Sequence, residues 1–244
     1  MAALKFKIEN ISFLSDGFIL KGALHLPGTV QPPVIIGSHG LFSSQKSPKQ
    51  IALAQACNRL GMAYFRFDHR GCGDSEGNFE EVTSLAARCR DLKNAVRAIR
   101  STGRTGPRLG LFGSSMGGTV CLSVAGTLNA STLVTFAAPI RSEIRNQKFR
   151  ESRATNAAGI FFDSGKSSFE ISEKLSRINN ILIAHGEADE IVPPSHAREI
   201  YRLAGEPKKI IIQKDGDHRM SNTKHQHDFI REASKWFKSG LLGN

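Results

Sequence analysis

Leu109-Gly110-Leu111-Phe112-Gly113-Ser114-Ser115-Met116-Gly117-Gly118-Thr119-Val120-Cys121-Leu122-Ser123-Val124-Ala125 decides the reading of this chain. The apolar run Leu109–Phe112 reads as a buried strand, and residues 118–125 read as a helix. Between them stands a serine flanked by glycines, the G-x-S-x-G pattern of a nucleophile elbow. A strand that turns sharply into a helix crowds its own backbone, and small residues at 113 and 117 relieve the clash. Ser115 then projects its hydroxyl above the sheet edge, at a helix N-terminus. Free N–H groups and a partial positive charge there suit a developing oxyanion. A glycine-rich turn with a capping serine has the same five residues, so the rest of the chain must supply the chemistry.

Outward from this point, strands alternate with helices. Leu4–Ile11 and Phe18–Leu26, separated by Ser15-Asp16-Gly17, read as an antiparallel hairpin. Val34–Gly37 is a short apolar strand after Pro32-Pro33. The loop 38–44 follows, and Ser47-Pro48 opens a helix that Gly61 stops. Met62–Asp68 is the next strand, leading into a glycine-rich loop at 69–77. Ser84–Arg100 places Leu85, Cys89, Leu92, Val96 and Ile99 on one helical stripe. Arg88, Arg90, Lys93, Arg97 and Arg100 fall off that stripe and read as a solvated basic face. Strands at Thr132–Ala138, Ile181–Ala184 and Lys209–Gln213, with helices at Ser195–Leu203 and Asn222–Lys238, complete the rhythm. The pattern predicts an α/β fold: a mostly parallel central sheet with helices on both faces and an N-terminal antiparallel hairpin. Residues 1–244 read as a single domain. The weakly patterned stretch of about 140–180 reads as a small cap insertion over the strand ends.

Composition narrows the function classes. No apolar run approaches the length of a membrane span, and residues 1–7 are not expected to form a secretory signal. Cys57, Cys72, Cys89 and Cys121 lack metal or redox spacing. A reduced, cytoplasmic protein is the default expectation. The formal charge is +11, but the basic residues are spread over several helices, and 2 Tyr and 1 Trp offer little for base stacking. Nucleic acid is therefore not an expected partner. His225 and His227 point to different helical faces, and no structural metal site is indicated.

A serine hydroxyl needs a base, and the base needs an orienting carboxylate. His185-Gly186-Glu187-Ala188-Asp189-Glu190-Ile191-Val192-Pro193 follows one late strand, and Asp215-Gly216-Asp217-His218-Arg219 follows the last. Both loops lie at strand C-terminal ends, the edge where open α/β sheets bind ligands. His218 is the candidate base. Asp189, Glu187, Glu190, Asp215 and Asp217 compete for the carboxylate.

With these residues in view, the chain resembles the α/β-hydrolase superfamily. Within it, the chain is similar to small bacterial carboxylesterases of the cinnamoyl/feruloyl esterase type. The resemblance rests on Ser-His-Gly-Leu at 38–41, Asp-His-Arg-Gly-Cys-Gly-Asp-Ser at 68–75, the elbow at 113–117, His-Gly-x-x-Asp-x-x-Val-Pro at 185–193 and Gly-Asp-His at 216–218. It implies the α/β-hydrolase fold, with Ser115 as nucleophile, Asp189 as acid and His218 as base. It also implies an oxyanion hole made by the backbone N–H groups of Leu41 and Met116. His39 is expected to shape its loop, and Arg70 to pair with a carboxylate.

The expected activity is hydrolysis of a small carboxylic ester, with an anionic or aromatic acyl group, through an acyl-enzyme. It needs no cofactor and no metal. The expected assembly is a monomer or homodimer without stable membrane insertion. An acyl thioesterase or peptidase-like hydrolase would use the same three side chains, and a non-catalytic binding module would keep only the fold. In the cap, Arg141, Arg145 and Lys148 share a face if helical. They read as a solvated face or as a lure for an anionic substrate.

Overall fold

Lys7–Ser15 (β1) and Phe18–Leu26 (β2) form the hairpin, with Ser15 opposite Phe18. Asp16 and Gly17 both have positive φ, 49° and 88°. Two such residues make the mirror-image turn that matches strand twist. Turn chemistry therefore ends β1 at Ser15, four residues beyond the end read from apolar alternation at Ile11. The computed structural model describes residues 6–142 and 168–243, so the expected strand start at Leu4 lies outside the described residues.

The remaining strands are Val34–Ser38 (β3), Ala63–Phe67 (β4), Leu109–Ser114 (β5), Thr132–Phe136 (β6), Ile181–Gly186 (β7) and Lys208–Gln213 (β8). They join β1 and β2 in an eight-stranded sheet of order β1-β2-β4-β3-β5-β6-β7-β8. β2 runs antiparallel to both β1 and β4, and every pairing from β4 to β8 is parallel. Every residue of β3, β6 and β7 is buried, as strands covered on both faces must be.

The helices are Pro48–Arg59 (α1), Phe79–Val82 (α2), Leu85–Ser101 (α3), Met116–Leu128 (α4), Ser195–Leu203 (α5) and Thr223–Leu242 (α6). Alternate strand residues feed two cores. Val34, Ile36, Leu111 and Ile183 pack with Leu92 and Val96 of α3, Val120 of α4 and Ile200 of α5. Ile35, Phe112, Phe136 and Leu182 pack with Leu53 of α1 and with Phe229 and Phe237 of α6. The Ser84 hydroxyl caps α3 by accepting from Ala87 N–H at 3.1 Å. Ser47 stands at the start of α1 with Pro48 at the first helical position, but its hydroxyl makes no cap.

The basic face expected on α3 is interrupted. Arg88 is fully buried, because α3 packs beneath the loop that follows β3 and that loop requires donors. The short α2 was not visible in the sequence: its four residues are too few to show a period.

The segment expected to cap the sheet is pinched at its base. Ser142 N–H donates to Phe169 O at 3.0 Å, and Ile171 N–H to Ile140 O at 2.9 Å. A short 3₁₀ turn, Ser172–Arg177, returns the chain to β7. The expected roles of Arg145 and Lys148 fall outside the described residues. Arg141 is engaged: its Nη2 lies 2.6 Å from Glu199 Oε2 on α5.

Candidate active site

The loops after β3, β5, β7 and β8 all leave the same sheet edge. Ser115 stands between β5 and α4 with φ 53° and ψ −127°, a conformation that non-glycine residues adopt only under constraint. Two features impose it. A Cβ on Gly113 would collide with the Gly117 carbonyl, so the turn can close only around glycine. The Ser115 N–H is tied to Phe136 O at 2.8 Å. Ser115 occupies the cap position of α4, yet its hydroxyl caps nothing. It points to His218 instead, with Oγ 3.1 Å from His218 Nε2.

Behind the imidazole, His218 Nδ1 lies 2.8 and 3.0 Å from the two oxygens of Asp189. The Asp189 side chain is buried, and burial alone would raise its pKa. Hydrogen bonds from His185 and His218, the charge of His218 and the Val192 N–H outweigh that, holding the carboxyl well below the usual range. Ile191 N–H and Val192 N–H donate to Oδ1 at 2.9 and 2.8 Å. The two loops cross at Gly186, where a Cβ would collide with the Gly216 carbonyl. Of the competing carboxylates, Glu190 accepts the His218 backbone N–H at 3.1 Å rather than the ring. Glu187 takes Asp215 N–H at 3.4 Å, and Asp217 takes the Ser221 hydroxyl and N–H.

Across from this row lies the loop His39-Gly40-Leu41. His39 Nδ1–H donates to Gly40 O at 2.7 Å and Nε2 accepts His69 N–H at 3.1 Å, which fixes the neutral tautomer. Burial, aided by the charge of Arg88, keeps the His39 pKa well below its ordinary value. Beneath it, His69 Nε2 meets Ser38 Oγ at 2.8 Å, and burial pushes its pKa down to about 4. Arg70 pairs with Asp91 at 2.7 Å, and Asp91 also accepts the Ser15 hydroxyl at 2.7 Å. These contacts brace the His39–Leu41 side of the site from within the sheet layer.

Leu41 and Met116 touch and share an apolar cluster with Phe79, Leu85 and Phe169. Met116 opens α4, so its N–H has no carbonyl one turn earlier within the helix. Leu41 also lines a cleft of about 530 Å³ with Phe42, Cys72, Asn78 and Phe79. Two site neighbours escaped sequence reading. Arg88 is one. Lys49 of α1 is the other: its Nζ stands 4.2 Å from the Phe136 ring centroid, where burial pushes its pKa down to about 8 against the pull of Asp217 and Asp189. Only the inward turn of a helix that reads as polar there would have shown either.

Residues 31–155, from before β3 through the elbow and beyond β6, match the Hydrolase_4 family, serine aminopeptidase S33. The uncharacterized protein YfhR of Escherichia coli O157:H7 is 33% identical over 237 residues, covering 92% of this chain and 78% of YfhR. The chain belongs to the serine aminopeptidase S33 (Hydrolase_4) family. This S33-family chain is also 28% identical over 212 residues to the mitochondrial palmitoyl-protein thioesterase ABHD10 of Homo sapiens, covering 77% of this chain and 67% of that protein. Its fold is that of the α/β-hydrolases. The structure of the Pyrococcus furiosus esterase Pf2001 superposes with a TM-score of 0.83 at 17% identity, covering 97% of this chain and 92% of that one. The S33-family chain is a serine hydrolase. The family match includes Ser115 and ends before Asp189 and His218.

Proposed function

We propose that this protein hydrolyses carboxylic esters through an acyl-enzyme, with Ser115 as nucleophile, His218 as base and Asp189 as the group that orients it. One observation carries the reading: a single imidazole bridges the Ser115 hydroxyl and the Asp189 carboxylate at hydrogen-bond distance on both sides. His218 Nε2 removes the hydroxyl proton as Oγ attacks the acyl carbon. The ionised Asp189 holds Nδ1–H, which keeps Nε2 free as acceptor and stabilises the imidazolium that forms. The tetrahedral oxygen takes its hydrogen bonds from Leu41 N–H and Met116 N–H, donors of the kind whose individual loss raises the barrier by roughly 3 to 4 kcal/mol. His218 then protonates the leaving alcohol, and water repeats the attack on the acyl-enzyme with His218 again as base. The cleft beside Leu41, with Phe42 and Phe79 on its wall, suits an apolar or aromatic acyl group, as a cinnamoyl-type ester carries.

A second reading, acyl thioester hydrolysis, is favoured by the likeness to ABHD10, and the same side chains serve it. Incubation with a fluorophosphonate tests both. Wild type should be labelled on Ser115 and Ser115→Ala should not; a folded wild type that stays unlabelled leaves only a binding module. A panel of p-nitrophenyl esters, methyl cinnamates and acyl-CoA thioesters then separates ester from thioester preference by kcat/KM.

A further inference from the structure

Among the described residues Arg88 is the largest fully buried side chain, and it carries a charge. Burial lowers its pKa from the ordinary arginine value, and a guanidinium still stays protonated. Among the described residues its hydrogen bonds go to no carboxylate. Nη1 lies 3.3 Å from His39 O and 3.4 Å from Gly40 O, and Nη2 lies 2.9 Å from Leu41 O and 3.2 Å from Cys72 Sγ. Nε has no partner. Asp91 acts on the guanidinium only through space, without a hydrogen bond, and burying a charge with no directly bonded counter-ion is expensive; an apolar side chain of similar volume would fill the space more cheaply. The expense falls at one place: three successive carbonyls of the loop after β3.

The middle carbonyl matters most. Gly40 O and Leu41 N–H belong to one trans peptide, so they point in opposite directions. Fixing that oxygen from behind aims the N–H forward, toward the elbow. Gly40 itself packs close to the elbow: a Cβ there would come within 3.6 Å of Ser115 Cβ. A cation against an amide oxygen also polarises the amide and makes its N–H a stronger donor. His39 Nδ1–H and Ser43 N–H add neutral donors to the same oxygen at 2.7 and 3.3 Å, and Arg88 is the charged one.

We propose that Arg88 is a positioning residue for the oxyanion hole: its guanidinium, clasped on the carbonyls of His39, Gly40 and Leu41, aims and polarises the Gly40–Leu41 peptide toward the negatively charged oxygen of the tetrahedral intermediate. The proposal rests on the ester-hydrolase reading above, in which Leu41 N–H is one of the two donors. A residue acting on charge that exists only in the transition state must change kcat more than KM.

The test uses the full chain with p-nitrophenyl butyrate as substrate and phenylboronic acid as the probe that forms a tetrahedral anion on the serine. Arg88→Gln keeps donors without the charge, Arg88→Lys keeps the charge without the fork, and Arg88→Met keeps neither. The methionine variant should lose roughly 10- to 100-fold in kcat with KM held within about threefold. Its boronate affinity should weaken by a similar factor, and Arg88→Lys should recover part of both. Folded variants with unchanged kcat and boronate affinity would overturn the proposal, as would a change confined to KM. Loss of the circular dichroism spectrum in all three variants would also overturn it, since Arg88 would then hold the fold and not tune the hole. Fluorophosphonate labelling of wild type keeps the two ideas apart. If wild type is not labelled, the hydrolase reading fails; if it is labelled and turns over while the variants match it, only the Arg88 proposal fails.

Discussion

His218 Nε2 stands 3.1 Å from Ser115 Oγ, although 103 positions separate the two residues along the chain. Such a bond works only as a unit with its neighbours, so removal of either partner should remove the same chemistry. Ser115→Ala and His218→Ala should each lower kcat by about 10⁴-fold or more, and the double variant should be no slower than the worse single one. Steady-state rates on p-nitrophenyl butyrate check this. Losses that multiply in the double variant would show that the two side chains act independently.

Asp189→Asn should leave the packing intact and still disable the base. The amide oxygen would keep the N–H groups of Ile191 and Val192, which now donate to Oδ1 at 2.9 and 2.8 Å. The amide nitrogen would then face His218 Nδ1 as a donor, and the ring would shift its proton to Nε2, toward the serine. The expected fall in kcat is roughly 10³- to 10⁴-fold with KM little changed. Retention of a tenth of the wild-type kcat would sink this role for Asp189.

Acid should weaken the fold before the carboxylates titrate. His25 is buried, its Nε2 accepts from Arg66 Nε–H at 2.8 Å, and burial together with the Arg66 charge pushes its pKa down to about 4. An unfolded chain binds that proton near the ordinary histidine value. Below about pH 6.5 the unfolded state therefore takes up a proton that the folded state refuses, and stability falls as pH drops toward 4. The slope from one such histidine reaches at most about 1.4 kcal/mol per pH unit. His25→Gln keeps an acceptor for Arg66 and removes the titration. Urea midpoints measured at pH 7 and pH 5 should differ less in the variant than in wild type; equal differences would mean that His25 titrates normally.

Phe229→Ala should be the costly truncation on α6. The ring lies 5.9 Å from that of Phe112 and 5.8 Å from that of Phe136, and the residue is 2% exposed. Emptying that space costs roughly 3 to 5 kcal/mol, by lost transfer energy and by the cavity left behind. Guanidinium denaturation followed by circular dichroism gives the value. A loss under about 1 kcal/mol would mean that the α1 and α6 side of the core closes up around the missing ring.

Much of this architecture was legible because it is local. The strand–glycine–serine–helix run at 109–125 specifies its own turn, and Ser84 or Asn222 marks a helix start through the bond its own side chain makes. Where the reading failed, a longer-range constraint won. The end of β1 is set by the Asp16-Gly17 turn and by the pairing with β2 that the turn registers, so apolar alternation up to Ile11 could not show it. Arg88 sits off the apolar stripe of α3 and still points inward, because the carbonyls of the β3 loop lie beneath it and offer acceptors that compensate its burial.

By itself, then, the sequence determined the order of strands and helices, the tight turn that exposes Ser115, and the two loops that carry the candidate base and acid. Periodicity, caps and glycine sterics act over a few residues and are written in consecutive letters. Tertiary structure alone decided which carboxylate faces the His218 ring, and that the buried Arg88 guanidinium grips the peptide of Gly40 and Leu41. Those contacts join loops that meet only once the sheet has set its strand order, and no local pattern carries the distance between them.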